Sequence, residues 1–169
     1  MSTANPYEKF LGGNDARQAI AKTPARLAEL VKKLGASGAE RSHAPGKWSV
    51  RQVVCHLADA EISFAFRLRQ AVAETDHVIQ PFDQDHWAWP YDKLKLDDAL
   101  HAFTAFREWN LRFLEQTKPE QMKKKVSHPE RGEMTVETIV ETMAGHDENH
   151  LRQVEAVASD NGKPRAASL

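Results

Sequence analysis

His146 and His150 stand four residues apart in a stretch whose apolar residues, Val136, Ile139, Val140, Met143, Val154 and Val157, recur at helical spacing. Both histidines therefore fall on the face where a helical bundle would place leucine. Residues four apart share a helix face with Cβ atoms about 6 Å apart, so two imidazoles there can converge on one ion. Taken alone, a His-x-x-x-His pair is a weak signal, since a surface helix shows it as two solvated side chains and a lone core histidine is usually neutral and hydrogen-bonded. Two on an apolar face bury several polar nitrogens at once, which is costly unless something binds them.

A third ligand has to come from another helix. His56 is the best-placed candidate, because Ala60 and Ser63 on its side of a second apolar helix are small enough to leave room. His43, His77, His86 and His128 fall in expected loops or helix ends, and His101 lies near the start of a third helix. Asp59, three residues after His56, is the candidate catalytic group. It can accept a hydrogen bond from a ligand imidazole and fix its tautomer, or take a proton; the plainer alternative is a surface carboxylate paired to an arginine. Gln153 bears the same relation to His150.

Three neutral imidazoles with no fourth protein ligand leave an open coordination position, as catalytic metal sites do. Such a centre can acidify water or a thiol, or polarise a carbonyl. Two other metal chemistries fail on placement. A di-iron carboxylate bundle needs Glu-x-x-His on facing helices, and the instances here, Glu40 with His43 and Glu74 with His77, fall in or beside loops. A zincin protease needs glutamate directly after the first histidine, where Asp147 stands.

Four segments with helical periodicity must position these side chains, and no comparable segment alternates with period two, so the class is all-α. The first runs from about Asp15 to Leu34 and ends at Gly35, with Thr23-Pro24 marking a kink or a fresh N-terminus. The second begins at Ser49, whose spacing to Gln52 is that of a capping box, and continues to about Glu74. The third starts at Asp97 and carries Leu100, Phe103, Phe106, Leu111, Phe113 and Leu114 up to Pro119; the fourth runs from near Thr135 to about Ser159. The connection Thr75–Lys95 is long enough for a crossover, and its Phe82, Trp87, Trp89 and Tyr91 suggest that it packs over the bundle. Lys123–Gly132 reads as a solvated turn.

The 169 residues fit a single four-helix domain with a core at about 15–159 and a C-terminal tail at 160–169. With 23 Lys and Arg against 24 Asp and Glu, no overall field favours a polyanion, so nucleic acid is not the expected partner. Residues 1–13 hold no apolar run of the signal-peptide kind and no stretch approaches a membrane span, so a cytoplasmic protein without membrane partners is expected. The one cysteine, Cys55, is flanked by Val53, Val54 and Leu57 and reads as a small buried hydrophobe.

The order and spacing of several motifs resemble the DinB-like superfamily, and within it the YfiT-type branch of metal-dependent hydrolases, over about Pro45–Ala156. They are Gly46-Lys47-Trp48-Ser49-Val50-Arg51-Gln52-Val53-Val54 leading into His56-Leu57-Ala58-Asp59, then Pro81-Phe82-Asp83 with Trp87, then His128-Pro129-Glu130 with Gly132, and His146-Asp147-Glu148-Asn149-His150-Leu151. The resemblance implies an up-down-down-up four-helix bundle, commonly a homodimer, with a divalent metal (nickel or zinc, iron or manganese in others) at one end of the bundle on His56, His146 and His150. It also implies a small-molecule substrate and, for some relatives, a low-molecular-weight thiol cofactor. The function expected is a hydrolase or thiol transferase; a non-catalytic, metal-binding stress-response dimer is the alternative from another class.

Overall fold

The computed structural model describes residues 4–160; the tail expected at 160–169 lies, from 161 on, outside the described residues. Four long helices make the body: α2 (Ala16–Ala39), α3 (Val50–Ala73), α5 (Leu96–Glu115) and α7 (Val136–Ser159). Shorter pieces join them: α1 (Glu8–Leu11), α4 (Gln84–Trp87), α6 (Pro119–Met122), and a hairpin of β1 (Lys125–His128) with β2 (Gly132–Thr135). Among the described residues no helix is long and apolar enough to cross a membrane.

The helix starts follow local chemistry. The Asp15 carboxylate accepts from the Gln18 amide at 2.8 Å at the head of α2, and the Thr135 hydroxyl accepts from the Thr138 amide at 3.1 Å at the head of α7. At α3 the capping box is complete: the Ser49 amide donates to Gln52 Oε1 at 2.8 Å and the Gln52 amide to Ser49 Oγ at 3.3 Å.

Pro24 neither kinks nor restarts α2, as Thr23-Pro24 suggested; the helix runs through it. Proline lacks the N–H that would bond the Ile20 carbonyl, and Arg107 Nη1 donates to that oxygen instead, at 2.8 Å. The break comes at Gly35, where φ of 63° and ψ of −178° leave the helix before a final turn to Ala39.

Helix directions can be read from side-chain pairs. Thr23 bonds Asp147 and Arg26 bonds Glu148 and Glu155, so α2 and α7 run parallel. Gln52 meets Asp92, Glu61 meets Arg107, and Arg69 meets Asn110, so α3 and α5 also run parallel. Arg107 reaching back to Ile20 and Arg17 to Leu114 set α2 against α5. The bundle is thus up-down-down-up, and the parallel α3–α5 pair requires the long crossover that the sequence anticipates. Within it Ile79 and Tyr91 are buried while Trp89 stands in solvent.

Two further expectations, on the hairpin and on α5, need correction. Lys123–Gly132 is not simply a solvated turn: β1 and β2 pair in antiparallel register, burying Val126, His128 and Met134. The crossover is strapped to β1 through Ile79 N–H to Ser127 O at 2.8 Å and Ser127 N–H to His77 O at 3.0 Å. Strands of four residues lie at the lower limit at which alternation can be read, and only β1 alternates in burial. The buried face of α5 is Ala99, Phe103, Arg107, Asn110 and Leu114, whereas Phe106 is exposed. Choosing by apolarity passes over Arg107 and Asn110, whose burial depends on partners in other helices.

The core divides in two. One apolar cluster gathers Leu27, Val31, Val54, Leu57, Phe103 and Leu151, the other Ile20, Phe64, Leu68, Leu114, Ile139 and Met143. Between them lies a polar layer of Thr23, His56, Glu61, Arg107, Asn110, His146, Asp147 and His150, all buried. The histidines therefore sit between two apolar layers rather than at one end of the bundle.

Candidate metal centre

His56 enters this layer from α3, and His146 and His150 from α7. Their relative exposures are 1%, 5% and 7%. One potential ligand atom from each lies within 4.8 Å of the others. The ring centroids are 5.0 Å apart for His56 and His146, 4.9 Å for His56 and His150, and 4.6 Å for His146 and His150. The Nε2 atoms of His56 and His146 approach to 2.9 Å.

The donor set fits a divalent cation. His150 Nδ1 contacts Gln153 Oε1 at 2.9 Å, the contact expected from their spacing. An amide oxygen only accepts, so Nδ1 carries the proton and Nε2 keeps its lone pair. Burial drives His56 down to about 3, with the charge of His150 adding to the effect. Burial likewise holds His146 well below, and His150 below, the ordinary histidine value. All three are therefore neutral near pH 7, the form that offers lone pairs to a metal. His56 and His146 share one Nε2 contact, while among the described residues neither buried Nδ1 atom has a hydrogen-bond partner, a costly use of a core.

The histidines rest on a buried ionic layer. Arg107, 1% exposed, sends Nε and Nη2 to Glu61, Nη1 and Nη2 to Asp147, and Nη1 to Ile20 O. Four hydrogen bonds and the Nη2–Glu61 ion pair thus engage every nitrogen of the guanidinium. Asn110 Nδ2 donates to Glu61 Oε2 at 2.7 Å and Thr23 Oγ1 to Asp147 Oδ2 at 2.8 Å. This holds the backbone of α7 in place next to His146.

Asp59 lies one turn beyond His56 but bonds neither of its nitrogens. Its Oδ2 accepts from the Tyr91 hydroxyl at 2.8 Å. Tyr91 packs edge-on against Trp48 at 6.0 Å, and Trp48 against His56 at 4.9 Å. Burial raises the Asp59 pKa, opposed by the Tyr91 hydrogen bond. The Cys55 thiol is pushed up to about 11 by burial, which leaves it protonated and unreactive at neutral pH.

Two cavities reach the histidines. One of about 320 Å³ opens on His150 and Gln153 between His43, Lys47 and Trp48. The other, of about 160 Å³, runs from His56 and His146 along Phe64 to Arg67, Phe82, His128 and Arg131. Tyr7 and Gln84 line both. Tyr7 stands edge-on to His146 at 5.2 Å and is held close because residue 145 is glycine: a Cβ there would lie 2.5 Å from the Tyr7 carbonyl oxygen. Besides the histidines the walls hold Tyr7, in a segment with no marked periodicity, and Arg67, Arg131 and His128. Of these, His128 alone carried a signal, through the motif it shares with Pro129 and Glu130.

Comparison with known proteins agrees with this architecture. A protein of Oceanobacillus iheyensis named "Putative metal-dependent hydrolase" is 31% identical over 136 residues, 80% of this chain and 79% of that one. A Bacillus mycoides protein of the same description is 28% identical over 138 residues, covering 81% and 80%. The solved structure of YfiT from Bacillus subtilis, described as a probable metal-dependent hydrolase with an unusual four-helix bundle topology, superposes with a TM-score of 0.81 at 22% identity, over 88% of this chain and 87% of that. Residues 19–154 match the model of the DinB superfamily, and the chain belongs to that superfamily.

Proposed function

We propose that this is a metal-dependent enzyme whose His56, His146 and His150 hold one divalent cation and leave a coordination position facing the cavities. The observation that carries the reading is the convergence of three neutral, buried imidazoles with no carboxylate or thiol among them. A cation held this way supplies Lewis acidity, lowering the pKa of water or of a low-molecular-weight thiol and polarising a carbonyl. Imidazole donors suit nickel and zinc, with iron or manganese further down the affinity order. His150 is presented by Gln153. The polar layer around Arg107 fixes the α7 backbone, and Trp48 and Tyr7 keep bulk water from the rings. Asp59 acts at one remove, holding Tyr91 and so Trp48 against His56, which makes it a positioning residue.

Hydrolysis of a small-molecule substrate is the leading reading, since the relatives named above bear that description; thiol transfer is the variant in which a thiolate takes the place of water. A homodimer is supported by Ile62 and Phe66 on α3 and Phe106 and Trp109 on α5, all exposed apolar residues. The non-catalytic reading, a metal-stabilised dimer, predicts thermal stabilisation by metal without turnover. Elemental analysis of protein purified without chelator or affinity metal, with a substrate panel run on that protein and on His150→Ala, separates them. One equivalent of metal and turnover, both lost in the variant, support the enzyme; metal without turnover supports the alternative, and no metal overturns both.

A further inference from the structure

The smaller cavity contains a charge imbalance that the metal centre does not explain. Arg67 of α3 and Arg131 of the hairpin turn both line it, and among the described residues the one carboxylate in its wall is the exposed Glu130. Among the described residues no carboxylate forms an ion pair with either guanidinium. Arg107 shows how this fold treats a structural buried arginine: it surrounds it with two carboxylates. Arg67, by contrast, spends one N–H on the Gln80 carbonyl at 3.1 Å and lies 5.5 Å from the Phe82 ring centroid, while its buried Nε has no partner. Burial and the charge of Arg131 together lower its pKa to about 10, so it remains a cation at neutral pH. His128, in the same wall, accepts the Glu130 amide at Nδ1 at 3.2 Å, which places its proton on Nε2 and makes it a donor.

We propose that Arg67 and Arg131, assisted by His128, form a subsite for one oxyanion group, a carboxylate or a phosphate, of the small molecule on which the protein acts. Guanidinium forks match such groups, and two unpaired cations facing one partly enclosed space are stabilised by an anion between them. The cavity that holds them ends on His56 and His146, so a ligand anchored by its anion extends its neutral portion to the three-histidine centre. This assigns the substrate class as a small acid or phosphate ester. It rests on the metal reading only for what the anchored molecule faces, because the arginine subsite needs no metal to bind an anion.

The test therefore uses full-length protein stripped of metal with chelator and dialysed, followed by thermal melts against rising inorganic phosphate, acetate and chloride at fixed ionic strength. Arg131→Gln is the main variant because among the described residues its side chain makes no hydrogen bond or ion pair, and Arg67→Gln is the second. Expected is a saturable rise in Tm with phosphate, acetate or both, with an apparent affinity roughly tenfold or more weaker in Arg131→Gln. Which anion binds better identifies the group. A Tm rise with the same concentration dependence in wild type and Arg131→Gln is the general salting effect and overturns the proposal, as does a response no greater than that to chloride. Metal titration of His150→Ala in parallel keeps the two readings apart: an unchanged metal affinity there sinks the metal centre and leaves the anion result standing.

Discussion

Arg107 and Asp147 join through two nearly parallel hydrogen bonds, Nη1 to Oδ2 at 2.7 Å and Nη2 to Oδ1 at 3.1 Å, beside His146 in a layer where neither side chain is more than 2% exposed. The pair links α5 to α7, Glu61 extends it to α3, and the Ile20 carbonyl extends it to α2. One guanidinium thus reaches all four long helices at the level of the histidines.

Arg107→Met keeps an unbranched, flexible stem but removes the guanidinium, leaving Glu61 and Asp147 as buried carboxylates without a cation. Removing one partner of such a pair costs about 3–5 kcal/mol. Urea denaturation should show a loss of that order, and a variant as stable as the parent would mean that the layer is solvated in solution.

The hydrogen bond that orients His150 is open to test at Gln153. Gln153→Leu removes the acceptor that fixes the proton on His150 Nδ1. Metal affinity should fall about 10–100-fold, by competition against a chromophoric chelator, while the fold is retained. An unaltered affinity would place the His150 tautomer under some other control.

Gly145→Ala places a methyl group 2.5 Å from the Tyr7 carbonyl oxygen and 2.7 Å from Tyr7 Cβ. Because backbone is in the way, the segment around Tyr7 has to move off α7, at a cost of about 1–3 kcal/mol. Limited proteolysis should then cut before Gly13 faster than in the parent; equal cleavage rates would show that the contact is not held in solution.

Cys55 gives a pH dependence of definite sign. Its thiol pKa is raised from 9.0 to about 11 in the folded chain, by burial first. Between those values the unfolded chain loses the proton and the folded chain keeps it. The stabilisation is therefore complete below pH 9 and is lost as pH rises toward 11, amounting to roughly 1 kcal/mol by pH 10. Urea midpoints at pH 8 and pH 10 should fall further for the parent than for Cys55→Ala, and equal falls would refute the shift.

The sequence was legible where chemistry and periodicity coincide. Ser49 with Gln52 announces the start of α3, and His146 with His150 on an apolar stripe announces the site, because leucine positions filled by imidazole demand an explanation. Arg107 and Glu61 were not legible. A charged residue at a helical core position is conspicuous only when its partner is known, and these partners lie on helices 40 or more residues away. The hairpin escaped for a different reason: His128 and Met134 are buried by a pairing that four-residue strands do not advertise. The Tyr7 segment escaped because its fit depends on the missing side chain of Gly145 rather than on any pattern of its own.

The parallel course of α3 and α5 constrains what evolution or engineering can do with the connection between them. Helix α5, at 20 residues, is about 30 Å long, so the chain leaving Ala73 must travel that distance back before Leu96 can begin. Fully stretched at about 3.3–3.6 Å per residue, the connection could span roughly twice the gap, and the surplus is taken up by α4 and the turn at Tyr91–Lys93. Deleting about half of it would draw the tether straight, pulling Phe82 and Gln84 out of the cavity wall before the bundle itself came apart. Length changes in this segment therefore act first on which molecules the cavity admits, so homologues with shorter or longer tethers are the place to look for altered selectivity on an unchanged scaffold.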